Sequence, residues 1–329
     1  MLNRPYSPLL LCASLVLPLL SMLGLQSAAR AQGFPTKPVK VILPSPPGGG
    51  TDALARILAD KLRDKWSQPV IVENRAGAGG NIAGDVTSKA VPDGYTLMLA
   101  HPAPLVINKA LYSKLSYDPD QFVPVSLVAT VPNVLVVNAR SPAASVAQLI
   151  AMARAEPGKL NFASGAVGSP SSLTPELFKS MTGVNIPSIP FQGSAPALVA
   201  LLGGQVDMLF VELSTALPHI RAGKLRALAV AAERRSPFLP EVPTLADMLP
   251  GFNASVWFGI VAPPKTPAAL AEQISRAVAD ALKLADVSKQ LVDMSMEAVG
   301  GTPAEMAQYL REESRRWGAV IRQSGARAD

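Results

Sequence analysis

The chain has 329 residues, a formal net charge of +6, two histidines and a single cysteine. One thiol rules out a disulfide framework and a cysteine-ligated metal, and two histidines leave no Cys/His cluster to replace it. Lysine and arginine are scattered rather than clustered with aromatics, which sets nucleic-acid binding aside, while the mild basic excess suits attraction of small anions.

Residues 1–31 read as a secretory signal: Arg4 in a short leading region, an apolar stretch from Leu9 to Leu25, then Ser27-Ala28-Ala29-Arg30-Ala31. Ala29 and Ala31 meet the small-residue requirement, so cleavage is expected after Ala31, placing the mature chain in the periplasm. A membrane anchor is the rival reading. Pro18 and the lack of a stop-transfer pattern count against it, and Leu11 before Cys12 counts against lipid attachment. Cys12 leaves with the signal, so the mature chain must be held by its core alone.

After Pro35 and Pro38, Val39 to Leu43 is predicted as a buried strand that stops at Pro44. A glycine-rich turn follows. Thr51-Asp52 are then expected to cap a helix running to about Lys65, with Leu54, Ile57, Leu58 and Leu62 at helical spacing. Val70 to Glu73 is a second strand, Asn74 to Gly80 another glycine-rich loop, Asn81 to Ala90 a second helix and Tyr95 to Ala100 a third strand. Strand, loop and helix in repetition predict an α/β chain built on largely parallel sheets.

The pattern restarts with strands at Val134–Asn138 and Leu160–Ala163 around a helix at Ser145–Arg154. A helix at Ser171–Thr182, a strand at Ile186–Pro190, a helix at Pro196–Leu202 and strands at Val206–Val211 and Ala227–Val230 follow. Val256–Val261 is one more strand, and helices at Pro267–Lys283 and Pro303–Ser324 close the chain. Two α/β units imply two lobes with a ligand cleft between them. The expected partition is residues 32–131 with 254–329, and residues 132–253. The chain would cross between lobes near 131–133 and 250–254, where Pro132 and Pro250-Gly251 supply turn chemistry.

In open α/β sheets ligands sit where strands end and helices begin. Four loops have suitable chemistry there: Gly48, Gly49, Gly50, Thr51 and Asp52; Ala76, Gly77, Gly79, Gly80 and Asn81; Ser164, Gly165 and Ser169; and Gln192, Gly193 and Ser194. Glycine lets a ligand approach the main chain, and free N–H groups at a helix start favour an anion. His101, directly after the third strand, is expected in the cleft as a hydrogen-bond donor. Asp207, beside the strand at Val206, is expected either to orient a water or a loop amide, or to be a structural acid. His219 is placed on a surface helix.

Competing chemistries lack their residues. The chain has no phosphate-binding G-x-x-x-x-G-K-[ST], no dinucleotide fingerprint, no G-x-S-x-G elbow and no H-E-x-x-H. The expectation is therefore a binding protein without a cofactor, metal or catalytic residue.

A set of ordered stretches carries a resemblance. These are Phe34 to Lys40, Pro47 to Asp52, Val72 to Ile82, Pro92 to Leu97, Leu202 to Asp207, Val242 to Thr244 and Gly301 to Glu305. Along nearly all its mature length the chain resembles the solute-binding proteins of tripartite tricarboxylate transporters, also called the Bug family. That resemblance implies a periplasmic-binding-protein fold of the second topological type, with a carboxylate held by main-chain amides, small hydroxyls and waters. It also implies that the loops at Gly48–Asp52 and Ala76–Asn81 contact the anion, faced by Ser164, Gly165, Ser169 and the Gln192–Ser194 turn. Departures fall at Ser172, where the family has histidine, at Phe191-Gln192, where it has Tyr-Lys, and at His101-Pro102, where it has small polar residues. The implied partners are a small organic acid and membrane permease subunits, with the chain acting as a monomer. The alternative is a ligand-dependent sensor that docks on a membrane signalling partner.

Overall fold

The structure, a computed structural model, describes residues 33–165, 170–191 and 193–328. The expected signal segment, its cleavage site, Ser169 and Gln192 lie outside the described residues. The chain divides into two units, Met1–Lys37 and Pro38–Asp329. Among the described residues no helix is long and apolar enough to cross a membrane.

In the second unit, β-branched and apolar residues form β1 (Val39–Leu43), buried except at Lys40. Helix α1 (Gly50–Trp66) buries Leu54, Ala55, Leu58, Ala59 and Leu62, one stripe at helical spacing, and stops at Ser67 in the left-handed region. β2 (Val70–Asn74), α2 (Asn81–Ser88) and β3 (Thr96–Ala100) complete the first run. β4 (Val123–Val131) and β5 (Asn133–Asn138) follow with one residue between them. Ser145 caps α3 (Val146–Ala155), its Oγ accepting the Gln148 N–H at 3.2 Å. Next come β6 (Phe162–Ser164), α4 (Pro170–Thr182), β7 (Ser188–Pro190) and α5 (Ser194–Leu202). After them lie β8 (Met208–Glu212), α6 (Leu213–Arg221), β9 (Leu225–Val230) and β10 (Val256–Ala262). The chain ends through α7 (Ala268–Leu282), α8 (Ala285–Asp293), the short β11 (Glu297–Ala298) and α9 (Pro303–Ser324), which opens on a capping box between Thr302 and Glu305.

The strands form two sheets, ordered β11-β4-β10-β3-β1-β2 and β7-β6-β8-β5-β9. Parallel pairing holds for β1 with β2 and β3, and for β6 with β7 and β8. The expectation of mostly parallel sheets is corrected, because both are mixed. β10 lies antiparallel between β3 and β4, and β5 lies antiparallel between β8 and β9. These reversed strands are the ones that arrive from the other sheet, so the crossing itself sets the mixed pairing.

The crossings meet. Pro132 alone separates β4 in the first sheet from β5 in the second, and the return leads from β9 to β10. The Asn133 side chain, buried, donates to the Ala254 carbonyl at 2.7 Å. Ala231 N–H donates to the Asn133 carbonyl at 2.7 Å, and Ala254 N–H to the Ala231 carbonyl at 2.9 Å. Beside them, the indoles of Trp257 and Trp317 both donate to Glu313 Oε2, at 2.7 and 2.9 Å, and Arg316 pairs with Glu313 while donating to the Asn253 carbonyl. Helix α9 packs on β4 and also on α4, so it touches elements of both sheets. Under the second sheet, Phe162, Phe178, Phe210 and Phe252 form one ring cluster with centroids 5.6–6.5 Å apart.

Candidate functional site

The loop after β1 is held in shape by a carboxylate. Asp52 is not a helix cap: the N-cap of α1 is Gly49, which has no side-chain cap, and Asp52 lies within the first turn. Its Oδ2 accepts the Gly48 N–H at 3.0 Å and Arg56 Nε at 2.9 Å, and its Oδ1 accepts Arg56 Nη2 at 3.0 Å and Asn74 Nδ2 at 3.1 Å. Asn74 also donates to the Ser45 carbonyl. The Arg56 hydrogen bond, followed by the Gly48 amide, holds the Asp52 carboxyl down at about 2. It is therefore an anion at neutral pH that ties the glycine loop to the end of β2. With no side-chain cap, the N–H groups of the first turn of α1 keep no intrahelical acceptor.

Gly50 and Thr51 of that turn line a cavity of about 500 Å³ that takes residues from both sheets. The first sheet and its loops contribute Gly50, Thr51, His101, Val256, Phe258, Met294 and Met296; the second contributes Glu212, Ser214 and Thr215. A Cβ on Gly50 would stand 3.3 Å from Met296 Cε, so glycine lets the methionine close over the helix start. His101 Nδ1 accepts the Ala103 N–H at 3.3 Å, and burial lowers the ring to about 4. At neutral pH the ring is uncharged with its proton on Nε2, which leaves that N–H as a donor for the cavity.

Opposite stands Glu212, the last residue of β8, paired with Asn133 across the ladder. Burial raises its carboxyl above the usual range, and no described residue donates to it or neutralises it. Ser214 and Thr215 follow in the first turn of α6. Glu212, Ser214 and Thr215 went unnoticed in the sequence because that junction carries no glycine. The available signal was positional: like the other loops, it is a strand end running into a helix start.

The remaining expected residues are distributed as follows. Ala76, Gly77, Gly79, Gly80 and Asn81 lie on the same sheet edge as the β1 loop but do not line the cavity. Gly80 has φ +94°, and a Cβ there would fall 2.9 Å from Pro44. Asn81 Oδ1 is engaged by Asn108 Nδ2 at 2.6 Å and by the Tyr117 hydroxyl at 3.1 Å, which gives it an internal bracing role. Ser164 ends β6 with Gly165 directly after it, and Ser194 opens α5 behind its N-cap Gly193; none of the four lines the cavity. Asp207 is at the opposite end of β8 from Glu212, where its Oδ2 accepts the Asn161 N–H at 2.8 Å, so the structure does not bring it to the cavity.

A larger hollow of about 710 Å³ lies between α9 and the segment Pro119 to Pro124. It takes no residue from the second sheet and sits outside the strand-end rule, so the smaller cavity is the candidate site. Among the described residues no group of histidine, cysteine, aspartate or glutamate side chains could hold a metal ion.

Known proteins share this architecture. A family described as the tripartite tricarboxylate transporter family receptor matches residues 54–326. Protein BugT of Bordetella pertussis is 41% identical over 307 residues, covering 92% of this chain and 94% of the relative. The solved structure of R. palustris Rpa4515 with adipate has a TM-score of 0.74 at 37% identity, covering 89% of this chain and 98% of that one. MatC (Rpa3494) from Rhodopseudomonas palustris with bound malate has a TM-score of 0.71 at 35% identity, over 88% of this chain and all of that one.

Proposed function

This chain belongs to the tripartite tricarboxylate transporter receptor family, and we propose that it captures a small organic acid in the cavity between its two sheets and carries out no covalent chemistry on it. The observation that carries this reading is that residues able to donate line one space: Gly50 and Thr51 in the uncapped first turn of α1, His101 with Nδ1 engaged, and the hydroxyl-bearing Ser214 and Thr215. A volume of about 500 Å³ accommodates a small ligand. The adipate and malate held by the two similar structures support a carboxylate here.

Residues 32–131 with 254–329 and residues 132–253 act as two lobes that close by bending at the paired crossings. The loaded chain docks as a monomer on membrane permease subunits, in the periplasm, after signal cleavage behind Ala31. Of the sequence-derived site residues, Gly50, Thr51 and His101 contact ligand, Gly48, Gly49 and Asp52 shape the loop, and Glu212, Ser214 and Thr215 join them.

The test is thermal unfolding of the protein purified after export, against mono-, di- and tricarboxylates, aromatic acids and amino acids, with calorimetry on each hit. Stabilisation of about 2.7 kcal/mol is expected at a hundredfold excess over Kd. No stabilisation by any acid in the panel overturns the capture reading.

A further inference from the structure

Resting on the capture reading, we infer that Glu212 makes the site selective for a ligand that carries a hydrogen-bond-donating cation, an amino group, in addition to its carboxylate.

Among the described residues, every other polar group lining the cavity can serve an anion: α1 amides without intrahelical acceptors, the Thr51 hydroxyl, the neutral His101 Nε2–H, and the hydroxyls of Ser214 and Thr215. Glu212 is the exception. When ionised it is an acceptor only, and it stands in the same cavity with no arginine, lysine, histidine or amide of the described chain bonded to it. Its place is fixed by the fold. Met208 and Phe210 precede it on the same face of β8 and are fully buried, so the next residue on that face emerges where the sheet ends and the cavity begins.

A plain di- or tricarboxylate would satisfy the donors and then meet a carboxylate in a desolvated space, where like charges repel strongly. A ligand with an ammonium at that end converts the same carboxylate into its partner, and a site built around a buried polar group rejects an analogue that leaves it unpaired. The two sheets divide the work. The first sheet's helix start takes the carboxylate, and the second sheet's Glu212 takes the amine, so closure of the lobes needs both ends of the ligand.

Calorimetry on the exported protein with two matched series tests this. One series is succinate, glutarate and adipate; the other has the same skeletons bearing an α-amino group or with one carboxyl replaced by an aminomethyl group. The expected result is that at least one aminated member binds at least about tenfold more tightly than its plain counterpart. Glu212→Gln should erase that preference, and Glu212→Asp should keep part of it. Because Glu212 has no partner to lose among the described residues, Glu212→Gln should unfold at the same temperature as the parent or higher; should it fail to fold, the charge-retaining Glu212→Asp and the parent's own preference decide. Plain acids bound as tightly as their aminated counterparts overturn the inference while leaving carboxylate capture in place. Binding by no member of either series overturns the inference, and capture falls with it when the wider acid panel also gives no stabilisation.

Discussion

His101 shows how a single side chain can be set by its surroundings. Its Nδ1 accepts the Ala103 amide and the half-buried residue lines the cavity, where burial disfavours the charged form and lowers the ring to about 4. An unfolded chain would protonate the same ring near 6.5. Between these values the unfolded state binds more protons, so this residue makes stability rise with pH from about 4 to about 6.5 and contributes no slope above that range. Allowing for water in the cavity, the loss on acidification is about 2 kcal/mol. In urea titrations at pH 4 and pH 7, His101→Gln should therefore lose about 2 kcal/mol less than the parent between the two values. The raised carboxyl of Glu212 acts with the opposite sign but is common to both proteins and cancels in the difference. Equal losses in parent and variant would show that His101 is already solvated. At this scale the sequence pointed to His101, Gly50 and Thr51 through their place at strand ends. It was silent on Glu212, because an acid without a glycine neighbour has no local pattern to mark it, and only the fold across the cavity gives it meaning.

At the scale of elements, the two crossings behave as one joint. Asn133 begins β5 and its buried amide reaches the Ala254 carbonyl on the returning strand, so the outward and inward paths are tied by a side chain as well as by the main-chain bonds through Ala231. Asn133→Ala leaves that carbonyl buried without a donor and should cost about 1–3 kcal/mol in chemical unfolding. A change below about 0.5 kcal/mol, as for an ordinary surface site, would mean that water replaces the amide and the crossings are not braced by it. Most elements were legible because periodicity and turn chemistry agreed. β1 has the limits its β-branched content and Pro44 predict, and α9 the expected limits Pro303 to Ser324. β4 was not read, although it is central to the first sheet. Pro124 near its start and the polar Ser126 and Thr130 break the strand pattern, and the shorter hydrogen bond of Ser126 goes to a distant partner, the Gly301 carbonyl at 2.8 Å. The mixed strand directions escaped for a similar reason. Pairing direction is decided by the chain's return from the second sheet, and no local pattern encodes that return.

For the whole molecule, the proposed closure moves one wall of the cavity against the other, since Gly50, Thr51 and His101 belong to one sheet's surroundings and Glu212, Ser214 and Thr215 to the other's. The paired crossings permit a hinge, but α9 packs on both β4 and α4, so closure has to slide α4 along α9 or bend within a narrow range. Spin labels can read this motion cleanly, because the sole cysteine lies in the segment proposed to be removed on export. Val91 follows α2 beside the first sheet, Val199 lies in α5 beside the second, and both are 68% exposed. A Val91→Cys, Val199→Cys protein labelled at both positions should give one broad distance distribution without ligand and a shifted, narrower one at saturation. The shift follows from linkage: a ligand that touches both walls binds the closed arrangement more tightly and draws the population into it. An unchanged distribution at saturating ligand would mean that the cavity is already in its binding form. Recognition of a loaded receptor by a membrane partner would then have to rest on the ligand's own charge rather than on the shape of the closed protein.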